Sequence, residues 1–114
     1  MNRYKIGYYY ENKLVKYLRK LGYDAWRTPG SHSAVDIIAI HPVTNHILLI
    51  QVKSTSKEDF DFNSLSREER SRLLELAYRY RNNPNVSIEL WIFYRRFKRK
   101  KVVNIKKLLE KDYK

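Results

Sequence analysis

The sequence predicts an α/β fold: a central mixed β-sheet flanked by helices, in the order α-β-β-β-α-β. Three observations carry this prediction. The chain opens with "KIGYYYENKLVKYLRKL" (5–21), in which Tyr10, Leu14, Tyr17, Leu18 and Leu21 recur at helical spacing on one face. Two short apolar runs, "VDIIAI" (35–40) and "ILLIQVK" (47–53), flank the turn "HPVTNH" as a hairpin. A second helical pattern then separates that hairpin from a third apolar run, "VSIELWIFY" (86–94). Helices and strands interleaved in this way stack as layers around one sheet.

The elements follow in order. Gly22 stops the first helix. "YDAWRT" (23–28) alternates as a strand does, and "PGSHS" (29–33) reads as a loop before the hairpin. "STSKEDFDFNS" is a polar loop. Ser66 and Glu69 have capping-box spacing, so a second helix starts near Ser66 and runs to about Arg81, with Leu73, Leu74, Ala77 and Tyr80 inward. "NNPN" breaks it ahead of the strand at 86–94. A last strand over "VVNI" and a short helix over "KKLLEKDY" complete the pattern. At 114 residues and 43% hydrophobic content, the expectation is one domain spanning 1–114.

Charge is the strongest bulk signal. Lys and Arg number 24 against 12 Asp and Glu, a net charge of +12. The excess is spread through the chain: residues 1–57 carry nine basic and three acidic side chains, and residues 58–114 carry fifteen and nine. Such a surface attracts polyanions by counterion release, and nucleic acid is the commonest of them. "RRFKRKK" (95–101) has the density of a phosphate-binding strip, or of an edge strand protected by its charges. The absence of cysteine excludes a disulfide framework and a thiolate zinc site. No stretch has the ~20 apolar residues of a membrane span, and "MNRYKIGYYY" lacks the apolar core of a signal peptide. A soluble intracellular protein is expected.

The rare acids point to chemistry. Only Glu11, Asp36 and Asp24 precede Lys57. Asp36 interrupts an apolar strand, where aspartate is disfavoured and costly if left unpaired. The partner strand ends in Gln51, the chain's only glutamine, and Lys53, which alternation puts on one face. Glu11 borders the core-facing stripe of the first helix and can lean over the sheet. Glu11, Asp36 and Gln51 would offer hard oxygen ligands of the kind Mg²⁺ prefers, with Mn²⁺ as the alternative. Lys53 beside a bound water would orient or deprotonate it, or stabilise a pentavalent phosphorane. That is an arrangement for hydrolysing a phosphodiester.

Taken together, "VDIIAI…ILLIQVK" resembles the PD-(D/E)xK nuclease signature, an acid followed across a hairpin by acid-x-lysine. More narrowly, Lys5, Gly7, Glu11, Gly22-Tyr23, Arg27, Gly30-Ser31 and Asp36 are similar in order and spacing to the archaeal Holliday-junction resolvase family, over roughly residues 3–95. The resemblance implies a restriction-endonuclease-like core and a homodimer that nicks four-way DNA junctions, one cut per subunit. It implies metal ligation by Asp36, the position of Gln51 and the backbone carbonyl of Val52, with Lys53 catalytic and Glu11 on the metal or a water. Ser31 or Ser33 would match the family's active-site serine. DNA contacts would fall to Arg3, Lys5, Arg27, Ser33, Lys57, Arg95, Arg96 and Lys98. A cytoplasmic protein at the nucleoid, of archaeal or archaeal-virus type, is the matching location. Val35 stands where proline is usual, and Gln51 where an acid is usual. The glutamine keeps an oxygen donor but removes a negative charge, which motivates the alternative of a non-catalytic DNA-binding module on a decayed nuclease fold. A basic RNA-associated protein is the third reading.

Overall fold

The computed structural model describes residues 3–29 and 33–112. Helix α1 (Arg3–Lys20) leads into β1 (Asp24–Arg27), β2 (Ile37–Ile40) and β3 (Ile47–Thr55). A 3₁₀ turn (Phe62–Ser64) precedes α2 (Arg67–Arg79), and β4 (Val86–Tyr94), β5 (Arg99–Asn104) and α3 (Ile105–Asp112) follow. The five strands form one sheet in sequence order. β3 and β4 are parallel and the other neighbours antiparallel, so the sheet is mixed. A parallel pair needs a crossover connection, and α2 supplies it.

Each helix end has a local cause. α1 ends because Gly22 takes φ +95°, a left-handed conformation that side chains resist, while the Tyr23 N–H bonds back to the Leu18 carbonyl at 3.1 Å. α2 begins with the capping box read from sequence. The Ser66 side chain accepts the Glu69 N–H at 3.1 Å, and Glu69 Oε1 accepts the Ser66 N–H at 3.2 Å.

The sheet separates two apolar layers. Leu14, Val15 and Leu18 of α1 pack on Ile37, Leu48, Ile50 and Val52 on one face. On the other, Leu73 and Ala77 of α2 and Ile105 of α3 cover Ile88, Leu90 and Ile92 of β4. Tyr17 and Leu21 share the helical stripe but stay 42% and 51% exposed. Among the described residues no helix is long and apolar enough to cross a membrane.

Candidate active site

The site forms where β2 and β3 part company. β2 begins at Ile37, opposite Ile50, whereas β3 continues to Thr55. The Val52 N–H therefore points past the start of β2 with no strand to receive it. The Asp36 carboxylate takes the place of the missing ladder partner: its Oδ2 accepts the Val52 N–H at 2.8 Å. Asp36 is itself fixed by its backbone, donating to the Ile50 carbonyl at 2.7 Å and accepting from the Thr28 N–H at 2.8 Å. A strand residue turns its N–H and C=O to the same side, so the Val52 carbonyl opens beside Asp36. The paired register ends at Ile37–Ile50, and the Asp36 N–H bonds to Ile50, next in the chain to half-buried Gln51.

Gln51 and Lys53 point to the α2 side of the sheet. Alternation requires it, since Ile50 and Val52 belong to the layer under α1. There Lys53 forms an ion pair with Oε2 of Glu69, each side chain about one-third exposed. Glu69 thus serves two elements at once, its other oxygen closing the cap of α2. Burial works against its charge, but the Lys53 ammonium and the Ser66 hydrogen bonds outweigh it and hold its carboxyl below the usual value. At sequence level Glu69 was legible only as a capping residue. The further signal was positional: a helix that follows a parallel strand begins near that strand's carboxyl end, where sites in α/β sheets form.

Asp36 stands in the field of all these charges. Burial is the main cause that pushes its pKa up to about 6. The Val52 hydrogen bond and Lys53 oppose the rise, while the negative charges of Glu11 and Glu69 add to it. Glu11 reaches this field from α1, on the other side of the sheet. Its Oε1 accepts from Arg27 Nε at 3.0 Å, and the Arg27 guanidinium lies 4.0 Å from the centre of the Tyr8 ring. The structure thus brings Asp36, Val52, Gln51 and Lys53 together and leaves Glu11 beside them, engaged by Arg27. Among the described residues, no three His, Cys, Asp or Glu side chains cluster closely enough to hold a metal ion.

Ser31, with Gly30 and His32, lies outside the described residues. Ser33 is exposed, and its Oγ accepts the Val35 N–H at 3.3 Å in a local turn. Lys5 on α1 and Lys57 after β3 are exposed, and Arg3 lies in the first turn of α1. Arg95, Arg96 and Lys98 are exposed on the turn joining β4 to β5. Arg27, expected at DNA, is half-buried with an internal carboxylate partner. His46, in the turn between β2 and β3, bridges the Tyr23 hydroxyl at 2.7 Å and Ser87 Oγ at 2.8 Å.

An aspartate clamped at the fork of two strands, with a lysine on the neighbouring strand of a strongly basic α/β chain, is an arrangement suited to acting on a phosphodiester. The model of the archaeal Holliday junction resolvase (Hjc) family matches residues 2–114. The chain belongs to that family, whose members are structure-selective, junction-resolving nucleases. Its fold is similar to that of Archaeoglobus fulgidus Hjc, a Holliday junction resolvase from an archaeal hyperthermophile. The TM-score is 0.66 at 21% identity, covering 87% of this chain and 77% of that one. No curated protein matches the sequence.

Proposed function

We propose that residues 1–114 act as one metal-dependent endodeoxyribonuclease domain that cuts four-way DNA junctions as a homodimer, at the site around Asp36 and Lys53. The observation that carries this is the Asp36 carboxylate held by the Val52 N–H at 2.8 Å at the open end of β3. Two symmetric cleavage positions on a junction suit a two-fold dimer.

The donors at this end fit a hard cation. Asp36, the Val52 carbonyl and the Gln51 amide are all oxygen ligands, and no sulfur or imidazole competes among them. With so few carboxylates close together, a cation here keeps several waters, which is the habit of Mg²⁺. Bound there, Mg²⁺ or Mn²⁺ would neutralise phosphate charge and lower the pKa of a bound water.

The chain's own groups do the rest. The Val52 N–H fixes the Asp36 carboxylate through one oxygen, leaving the other to serve as a ligand. Lys53 donates to a non-bridging phosphate oxygen and opposes the charge that grows there in the transition state. Glu69 holds the lysine in that direction from α2 and is a positioning residue. Glu11, tied to Arg27, adds negative charge from the α1 side. Gln51 supplies an oxygen without a charge.

The test is cleavage of a labelled immobile four-way junction against linear duplex, in Mg²⁺ and in Mn²⁺, with Asp36→Ala as control. Paired symmetric nicks on the junction alone, absent in the control, are expected. Tight junction binding without nicks in either metal would instead establish the DNA-binding module that neutral Gln51 favours.

A further inference from the structure

The opposite face of the sheet carries a second feature. Between α1 and the β4–β5 hairpin lies a cleft of about 550 Å³, a volume typical of ligand sites. Its floor is aromatic. Tyr10 stacks on Phe93 with ring centres 5.0 Å apart and planes at 29°, and Tyr17 tilts against Trp91 at 6.2 Å. The Trp91 indole is pinned from below, donating to Glu89 Oε1 at 2.9 Å. The rim is cationic: Lys13 on α1, and Arg95, Lys98, Arg99 and Lys100 on the hairpin. Among the described residues, no carboxylate lines it.

Two details mark the cleft as more than a solvated groove. Lys100 stretches across the rings, its ammonium 4.5 Å from the centre of Tyr17 and 5.1 Å from that of Trp91. A cation over an aromatic face occupies the place where a flat π-system would stack. Lys98 sits at φ +49°, a conformation in which glycine or asparagine is more comfortable, so the turn carries backbone strain and still presents a cation.

The chemistry selects the occupant. A bare phosphate has no use for four rings, and an apolar peptide has none for five cations. A second copy docked through this same face would set its own five rim cations against these. Duplex DNA offers phosphates but keeps its base faces stacked. Unpaired nucleotides offer both a π-face and a phosphate, the combination that single-strand sites recognise with aromatic platforms in a basic groove.

We propose that this cleft binds unpaired nucleotides of a DNA single strand. A base stacks on Tyr17 and Trp91, and Lys100 leaves the rings for the adjoining phosphate. The parallel register places Trp91 beside Val52 and Ile92 beside Lys53, so the cleft lies one strand away from the cleavage site, through the sheet. A strand opened at a branch point would therefore be held on one face while cutting proceeds at the sheet's end.

The chain has two tryptophans, Trp26 and Trp91, so Trp26→Phe leaves Trp91 as the sole reporter. This full-length variant is titrated in EDTA with short oligothymidylate and with blunt duplex of equal charge. Oligothymidylate should quench Trp91 emission and duplex should not. Tyr17→Ala and Lys100→Met should each weaken the oligothymidylate complex about tenfold, and Tyr17→Phe should retain it, with duplex affinity unchanged throughout. Unaltered Trp91 emission at saturating oligothymidylate would overturn the proposal. So would equal losses for oligothymidylate and duplex, or quenching by an acidic tyrosine-containing peptide in place of the oligonucleotide. Because no cleavage is read, the result is independent of whether Asp36 and Lys53 cut junctions.

Discussion

Asp36 is held in a place where its charge is costly, and its pH dependence follows from that. Its pKa lies above the ordinary 3.8, at about 6. Below pH 3.8 the group is protonated in both the folded and unfolded chains and its charge costs nothing. Between 3.8 and 6 the unfolded chain loses the proton first, so this group's contribution lowers stability as pH rises, and above 6 the full cost remains. Asp36→Asn removes the charge, and its amide oxygen still accepts from Val52. In metal-free buffer the variant should melt above the parent well above pH 6, with the difference closing below pH 3.8; assayed separately in Mg²⁺, its junction cleavage should fall by about a hundredfold or more. Glu69 allows a cleaner separation. Glutamine serves a capping box as glutamate does, so Glu69→Gln should change stability by no more than about 0.5 kcal/mol. Cleavage should drop about 10–100-fold, as when a supporting partner of an active-site group is removed, with junction affinity in EDTA unchanged. Equal losses of stability and cleavage would reduce Glu69 to a cap.

The elements follow local rules where local chemistry is strong. β4 covers 86–94 as its apolar run predicts, and α2 starts at the Ser66 cap. Gly22 ends α1 in the left-handed region, and an added Cβ would stand 2.8 Å from His41 Nε2. Gly22→Ala should destabilise by about 1–2 kcal/mol, measured by urea unfolding, with cleavage intact at temperatures where the variant stays folded. The basic run was the least legible stretch. Its first four residues, Arg95–Lys98, form the hairpin turn, while Arg99, Lys100 and Lys101 begin β5, three residues before the strand read from "VVNI". An edge strand faces water along much of its length, so charge hides the alternation that marks a half-buried strand. The 3₁₀ turn at Phe62–Ser64, capped by Asp61, vanished into a polar loop for a similar reason: one turn is too short to show a period.

For the whole molecule, the +12 charge should dominate affinity for DNA. Junction affinity should fall steeply with salt. Replacing Arg95, Arg96 and Lys98 by alanine should flatten the log–log slope by about 0.9 for each phosphate that is no longer neutralised. Filter binding over a salt series would measure it. An unchanged slope would show that this turn stands away from the DNA. The layering matters equally. α1 and α2 cover opposite faces of one sheet, so Glu11 and Glu69 approach the same strand ends from two sides.

Sequence alone determined the α/β class, the helix caps, the hairpin with Asp36 and the Gln51–Lys53 pair, and the family resemblance, because each rests on residues close together in the chain. Tertiary structure decided the rest. The clamping of Asp36 depends on where β2 stops against β3. The Lys53–Glu69 and Glu11–Arg27 pairs depend on how two helices dock. The aromatic cleft depends on Tyr10 and Tyr17 of α1 reaching Phe93 and Trp91 of β4, a strand that lies in the last third of the chain. Spacing and periodicity report which face a side chain takes on its own element, whereas the partner it meets there is set by strand register and packing.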